Sequence, residues 1–111
     1  MPGCFTPTEM LTAWEAGADM IKLFPCDMLG PKYLMYIQGP FPGTRIMPAG
    51  SIVLENMEDY YVEGAFAGVA GVTTEMALLD AVQEGRFAEI TLTAREWVSR
   101  VQDMIARGQG R

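Results

Sequence analysis

The stretch DMIKLFPCD, Asp19–Asp27, decides how this chain is read. Met20, Ile21, Leu23 and Phe24 form a short apolar run that Pro25 stops at once, the pattern of a buried strand with a marked exit. Inside it stands one cation, Lys22. Side chains alternate along a strand, so Met20, Lys22 and Phe24 point one way while Ile21 and Leu23 point the other. Lys22 therefore faces either solvent or the interior of a barrel. As a surface residue it would snorkel, its stem covering apolar surface and its head reaching water. Among apolar neighbours the charged ammonium is disfavoured, which leaves neutral amine to attack a carbonyl and form a Schiff base. Both readings are open on these residues alone.

Upstream, Thr6-Pro7-Thr8-Glu9 predicts a helix start: Thr6 caps, Pro7 suits the first helical position, and Glu9 reaches back as in a capping box. Met10, Leu11 and Trp14 give this helix an apolar face to about Ala16, and Gly17 ends it. Downstream, Pro31 opens a second helix through Tyr33, Leu34 and Ile37 to Gln38, which Gly39-Pro40-Phe41-Pro42-Gly43 breaks. A strand is expected over Arg45–Met47, a helix over Leu54–Glu63 ending at Gly64, and a strand over Ala65–Val69. The last element is an amphipathic helix from Phe87 to about Ala106, with Phe87, Ile90, Ala94, Trp97, Val98, Val101 and Ile105 at helical spacing.

Short apolar strands separated by helices imply parallel βαβ units, hence an α/β fold. Parallel strands present their chemistry at their carboxyl ends. That places the loops Pro25–Gly30, Ala49–Ile52 and Ala70–Thr74 on one face. Their Gly and Pro residues equally serve as plain turn formers.

Half of the 111 residues are hydrophobic, enough for one domain with a core and too few for two. No long apolar run and no signal-type leader is seen, so a soluble, cytoplasmic protein without membrane association is expected. A net charge of −6 with only eight dispersed Lys and Arg excludes the footprint of a nucleic-acid binder. The chain has no histidine, which removes Cys/His zinc sites and His-activated nucleophiles. Cys4 and Cys26 fit neither a disulfide framework nor a metal spacing, and Cys26 reads as a small packing residue. Acid and base chemistry is left to carboxylates, lysine, tyrosine or cysteine, with no cofactor and no metal implied. Lys32, in the first turn of a surface helix, reads as an ordinary solvated lysine.

Met1-Pro2-Gly3 with Thr6-Pro7-Thr8-Glu9, Lys22-Leu23-Phe24-Pro25, Leu29-Gly30-Pro31, Gly39-Pro40-Phe41-Pro42 and Leu54-Glu55-Asn56 occur here in order. In them the chain resembles the 2-keto-3-deoxy-6-phosphogluconate (KDPG) aldolases and the related 4-hydroxy-2-oxoglutarate aldolases. Those are class I, Schiff-base lyases on a (β/α)8 barrel, usually homotrimers. The resemblance runs closely over residues 1–76 and more loosely beyond. It implies that Lys22 is the Schiff-base lysine at the end of the sixth barrel strand, with Phe24 and Pro25 shaping its pocket. It further implies a parallel half-barrel matching the carboxyl-terminal half of the family's fold, since a whole barrel needs at least about 200 residues.

On that alignment the family's acid/base glutamate, and the arginine and threonine that hold the pyruvyl carboxylate, have no counterpart in this chain. The substrate loops depart too. Pro48-Ala49-Gly50-Ser51 stands for Pro-Thr-Gly-Gly, and Val69-Ala70-Gly71-Val72 for Gly-Val-Gly-Ser. The family positions bind substrate and phosphate through backbone amides and hydroxyls, so the resemblance assigns Ala49, Gly50, Ser51, Gly71 and Val72 to substrate binding. Ala49 and Val72 each lack a hydroxyl, while Ser51 can restore one donor. Cys26-Asp27 replaces Ala-Glu or Gly-Glu after the Phe-Pro pair.

Two functions are expected from this. In the first, Lys22 forms an iminium with a 2-keto acid and cleaves a 2-keto-3-deoxy sugar acid to pyruvate and an aldehyde, weakly if the missing carboxylate is not supplied by a partner. In the second, the half-barrel is a fragment or engineered variant whose role is self-association. Its exposed sheet edges and apolar face would pair with another copy, as a dimer of halves or a family-like trimer, or with a complementary amino-terminal half.

Overall fold

A computed structural model describes residues 1–62 and 76–108 of the chain. Three strands, β1 (Gly3–Cys4), β2 (Ile21–Leu23) and β3 (Ile46–Pro48), form a parallel sheet in that order. Helix α1 (Pro7–Glu15) joins β1 to β2, and α2 (Lys32–Gln38) joins β2 to β3. After β3 come α3 (Met57–Val62), α4 (Met76–Gln83) and α5 (Phe87–Ala106). The expected strand Ala65–Val69 and the loop Ala70–Thr74, with Gly71 and Val72, lie outside the described residues.

Local chemistry accounts for the first crossover. Glu9 N–H donates to Thr6 Oγ1 at 3.3 Å, and Thr6 N–H donates back to Glu9 Oε2 at 2.8 Å, the capping box expected from sequence. Glu9 also accepts from Phe5 N–H at 2.9 Å, and these backbone donors hold its carboxyl below the usual range. The helix ends at Ala16, and Gly17 supplies the left-handed turn, φ 89°, that returns the chain to the sheet. Tyr33 of α2 donates to the Phe5 carbonyl at 3.1 Å, tying the second helix to the first crossover.

The register sorts the sheet into two faces. Ile21 pairs with Ile46, and Leu23 lies between Cys4 and Pro48. Ile21, Leu23 and Ile46 are fully buried in a core shared with Met10 of α1, Leu34 and Ile37 of α2, and Met104 of α5. The other row is Gly3, Lys22 and Met47, which belongs to the face turned away from these helices. A parallel sheet with helices packed on one face is the β/α half-barrel expected from sequence.

The structure departs from the sequence reading at several points, beginning with α1, where Met10 is buried but Leu11 and Trp14 of the expected apolar face are exposed. Helix α3 starts at Met57, three residues later than expected, because the Asn56 side chain accepts Val53 N–H at 2.9 Å and holds Leu54–Asn56 in a turn. Helix α4 has no counterpart in the reading. On α5 the expected apolar face is rotated: Met104 is buried and Trp97 and Val101 pack on the core, while Phe87, Val98 and Ile105 are exposed. No helix among the described residues is long and apolar enough to cross a membrane.

Candidate active site

Lys22 stands in the middle of the central strand, half-buried, between Gly3 and Met47. Gly3 offers no side chain on one flank, so the lysine stem has Met47 on the other for apolar cover. Alternation puts Phe24 on the same side, and its ring centroid is 5.2 Å from Lys22 Nζ. At that distance the negative ring face attracts a cation.

The loops that follow β2 and β3 continue the ladder past the strands. Ala49 N–H donates to the Leu23 carbonyl at 2.9 Å and Cys26 N–H to the Ala49 carbonyl at 3.0 Å. Pro25 lies between them after a cis peptide. Gly50 has φ 107°, and a Cβ there would lie 3.5 Å from Phe24 Cε2 and from Cys26 N, so the bare backbone is what the ring rests against. Ser51 also takes a left-handed φ, 49°, and donates its hydroxyl hydrogen to Asp27 Oδ2 at 3.0 Å.

Asn56, in the turn before α3, and Tyr60, within α3, hold on to these loops. Asn56 Nδ2 donates to the Ser51 carbonyl at 3.0 Å, and the Tyr60 hydroxyl approaches the Cys26 carbonyl at 3.5 Å. Cys26 is fully buried, and its thiol donates to the Gly50 carbonyl at 3.2 Å. Burial pushes the thiol up from its ordinary range, which keeps it protonated and unreactive as a nucleophile. Burial likewise pushes the Tyr60 phenol up, helped by Cys26 beside it.

Lys22, Phe24, Pro25, Ala49, Gly50 and Ser51 thus gather at the carboxyl ends of β2 and β3. Ala49, 3 % exposed, packs inward rather than presenting a surface. Sequence reasoning singled out Asp27 only as a weak candidate acid and missed its bond from Ser51, and it missed the roles of Asn56 and Tyr60 in this end of the molecule. Asn56 belongs to the quoted Leu54-Glu55-Asn56 segment, but only the fold shows that it holds the Ser51 carbonyl. A separate shallow cleft, lined by Met10, Leu11, Trp14, Phe41, Pro42 and Thr44, lies toward the amino ends of the strands and holds none of these groups.

A half-buried amine over an aromatic face, beside loops of exposed backbone, can bind and condense with a small carbonyl compound. Comparison with known proteins places the chain in a family. The chain is 33 % identical over 101 residues to the 2-dehydro-3-deoxy-phosphogluconate aldolase of Pseudomonas aeruginosa, covering 90 % of this chain and 45 % of that protein. It is 43 % identical over 65 residues to a probable 2-dehydro-3-deoxy-6-phosphogalactonate aldolase of Rhizobium meliloti, covering 58 % of this chain and 31 % of that one. The solved "Native KDPGal structure" superposes with a TM-score of 0.74 at 26 % identity, over 95 % of this chain and 48 % of its own. The chain therefore spans about half the length, or less, of the relatives it matches. Residues 1–93 match the family model of the KDPG and KHG aldolases, and the chain belongs to that family.

Proposed function

We propose that this chain carries the Schiff-base lysine of a class I aldolase acting on a 2-keto-3-deoxy sugar acid, and that the lysine is Lys22. The observation that carries the reading is the placement of its amine, on the sheet face away from the helices and over the Phe24 ring, which follows the central parallel strand. The neutral amine adds to the C2 carbonyl, and with one proton taken up water leaves, giving the iminium. The C4 hydroxyl then loses its proton, the C3–C4 electron pair moves toward the iminium nitrogen, and the aldehyde departs. The enamine left behind takes a proton at C3, and hydrolysis releases pyruvate and the free lysine.

Phe24 and Pro25 form the apolar wall of this site, and the Gly50 and Ser51 backbone borders it. Gly71 and Val72 complete it by resemblance alone. Among the described carboxylates at this end, Glu9 is held by the α1 cap, and Asp27, which accepts from Ser51, is a weak candidate for the proton-moving group. The carboxylate that moves protons is accordingly assigned to a partner, a second copy or a complementary half, and the chain by itself is weakly active. Both cysteines are free and buried, which suits a reducing cytoplasm. Incubation with pyruvate and borohydride, followed by peptide mass spectrometry, is expected to leave a reduced adduct on Lys22. An adduct shared equally with Lys32, or none, defeats the assignment.

A second reading, a half-barrel that acts through self-association, is favoured by one observation. Phe87, Val98 and Ile105 lie along one stripe of α5 and each is more than half exposed. Light scattering after size exclusion separates the two: association is expected at micromolar concentration, and a stable monomer speaks against it.

A further inference from the structure

Ser51 has φ 49°, a left-handed conformation that a residue with a Cβ keeps only where its surroundings hold it. Its hydroxyl bond to Asp27 fixes the side chain and not the peptide that follows. That peptide is held by Asn56, whose Nδ2 donates to the Ser51 carbonyl at 3.0 Å. The same side chain accepts Val53 N–H through Oδ1 at 2.9 Å. A donor faces the amide on one side and an acceptor on the other, so it has one orientation and both of its ends are used. Asn56 thus does two separable things: one bond closes the turn before α3, and the other reaches back to the loop after β3.

A peptide is a rigid plane, so holding the Ser51 carbonyl sets the direction of the backbone on either side of it. That backbone belongs to the site. A Cβ at Gly50 would lie 3.5 Å from Phe24 Cε2, and the Phe24 ring centroid is 5.2 Å from Lys22 Nζ. The Gly50–Ser51 loop and the amine therefore adjoin the same ring. A 2-keto-3-deoxy sugar acid joined to Lys22 through its keto carbon has a hydroxylated chain long enough to pass the ring and meet this backbone, whereas pyruvate has only a methyl. We propose that Asn56 is a positioning residue for that distal chain: it touches no reacting atom, and it holds the Gly50–Ser51 backbone in the shape against which the chain binds. The inference rests on the reading of Lys22 as the imine-forming amine.

The test separates the two bonds on the full 111-residue chain. In Asn56→Asp the carboxylate still accepts Val53 N–H but has no donor for Ser51; in Asn56→Ser the hydroxyl serves the same turn and stops one bond short of Ser51. Lys22 is trapped with borohydride over a range of 2-keto-3-deoxygluconate or pyruvate concentrations, and half-saturation is read from the adducts at Lys22 by mass spectrometry. Both variants are expected to raise the half-saturating concentration of 2-keto-3-deoxygluconate roughly fivefold, the penalty for reordering a loop that has lost one net hydrogen bond. Half-saturation by pyruvate, and labelling at saturation by either acid, should stay unchanged. A half-saturation for the longer acid that does not move, that rises equally for pyruvate, or that rises only in the charged Asn56→Asp overturns the inference. Pyruvate failing to label Lys22 of the unaltered chain is a different result, and it overturns the Lys22 reading itself.

Discussion

Helices α1 and α5 each carry an apolar stripe, yet Met10 on α1 is 1 % exposed while Phe87 and Ile105 on α5 are 64 % and 61 % exposed. Helix α1 lies between two strands in the sequence and returns onto both of them, so Met10 has a sheet to meet, while Leu11 and Trp14 at its margin are 39 % and 38 % exposed. Helix α5 follows α4 and packs on it, and reaches the core through Trp97, Val101 and Met104. One ion pair, Arg107 to Glu58 of α3 at 3.1 Å, ties its end to the rest. Periodicity reports that a helix has something to bury; it does not report which neighbour is present to receive it.

The largest expected effect tests that contrast directly. Leu34 is fully buried under the sheet, and Leu34→Ala should cost about 2–5 kcal/mol in urea unfolding. Val98, 57 % exposed on α5, should cost under about 0.5 kcal/mol as Val98→Ala. If Val98→Ala costs more than about 1 kcal/mol, or its cost grows with protein concentration, then the α5 stripe is buried by association and the contrast breaks.

An alkaline limb sharpens the same comparison. Burial pushes up both thiols, Cys4 and Cys26, and the phenols of Tyr33 and Tyr60, all of them on the sheet side. A group whose folded pKa is raised gives stability that is fully present below its unfolded value and lost as pH rises through the folded value. Ordinary values are 9.0 for the thiols and 10.0 for the phenols, so melting temperature should fall as pH rises beyond them. Tyr60→Phe should flatten part of that fall. Helix α5 contains neither Cys nor Tyr, so Val98→Ala should leave its slope unchanged.

At the site, Gly50→Ala should cost about 1–2 kcal/mol, since φ 107° is a region that residues with a Cβ seldom take. Its added carbon also meets the Phe24 ring and Cys26 N, both at 3.5 Å. The variant should therefore slow pyruvate trapping at Lys22 as well as lower the unfolding midpoint. Unfolding that changes with no effect on trapping would separate Gly50 from the placement of the ring.

What was legible in the sequence follows the range of the forces involved. The α1 start, the β2 strand and the stop at Pro25 depend on neighbours within a few residues, and they can be read directly. So can the common side of Lys22 and Phe24, which follows from alternation. The late start of α3 needs one side-chain bond, Asn56 to Val53, that competes with helix and leaves little trace in composition. The cross-loop bond from Ser51 to Asp27 spans 24 residues and depends on parallel strands being adjacent, so no local pattern announces it. Ser51 read alone is a free donor; in the fold its donor is spent.

The smallest effect concerns how the two helices begin. Helix α1 has the reciprocal box of Thr6 and Glu9, while at the start of α5 the Arg86 side chain makes no cap bond and pairs instead with Glu84 and Glu89. Thr6→Ala should cost about 1 kcal/mol, the usual worth of a cap. Arg86→Ala should change stability little, because exposed ion pairs of this kind contribute weakly. The acid limb adds a sign. Glu9 has a lowered folded pKa, so its contribution is present above the ordinary value of 4.5 and is lost as pH falls through the folded value. The difference in melting temperature between the unaltered chain and Thr6→Ala should therefore shrink in acid, because protonated Glu9 no longer rewards the Thr6 hydroxyl that donates to it at 3.0 Å, the one bond to the carboxylate that the variant loses. A difference that stays constant through that range would mean the Thr6 hydroxyl caps α1 without help from the carboxylate.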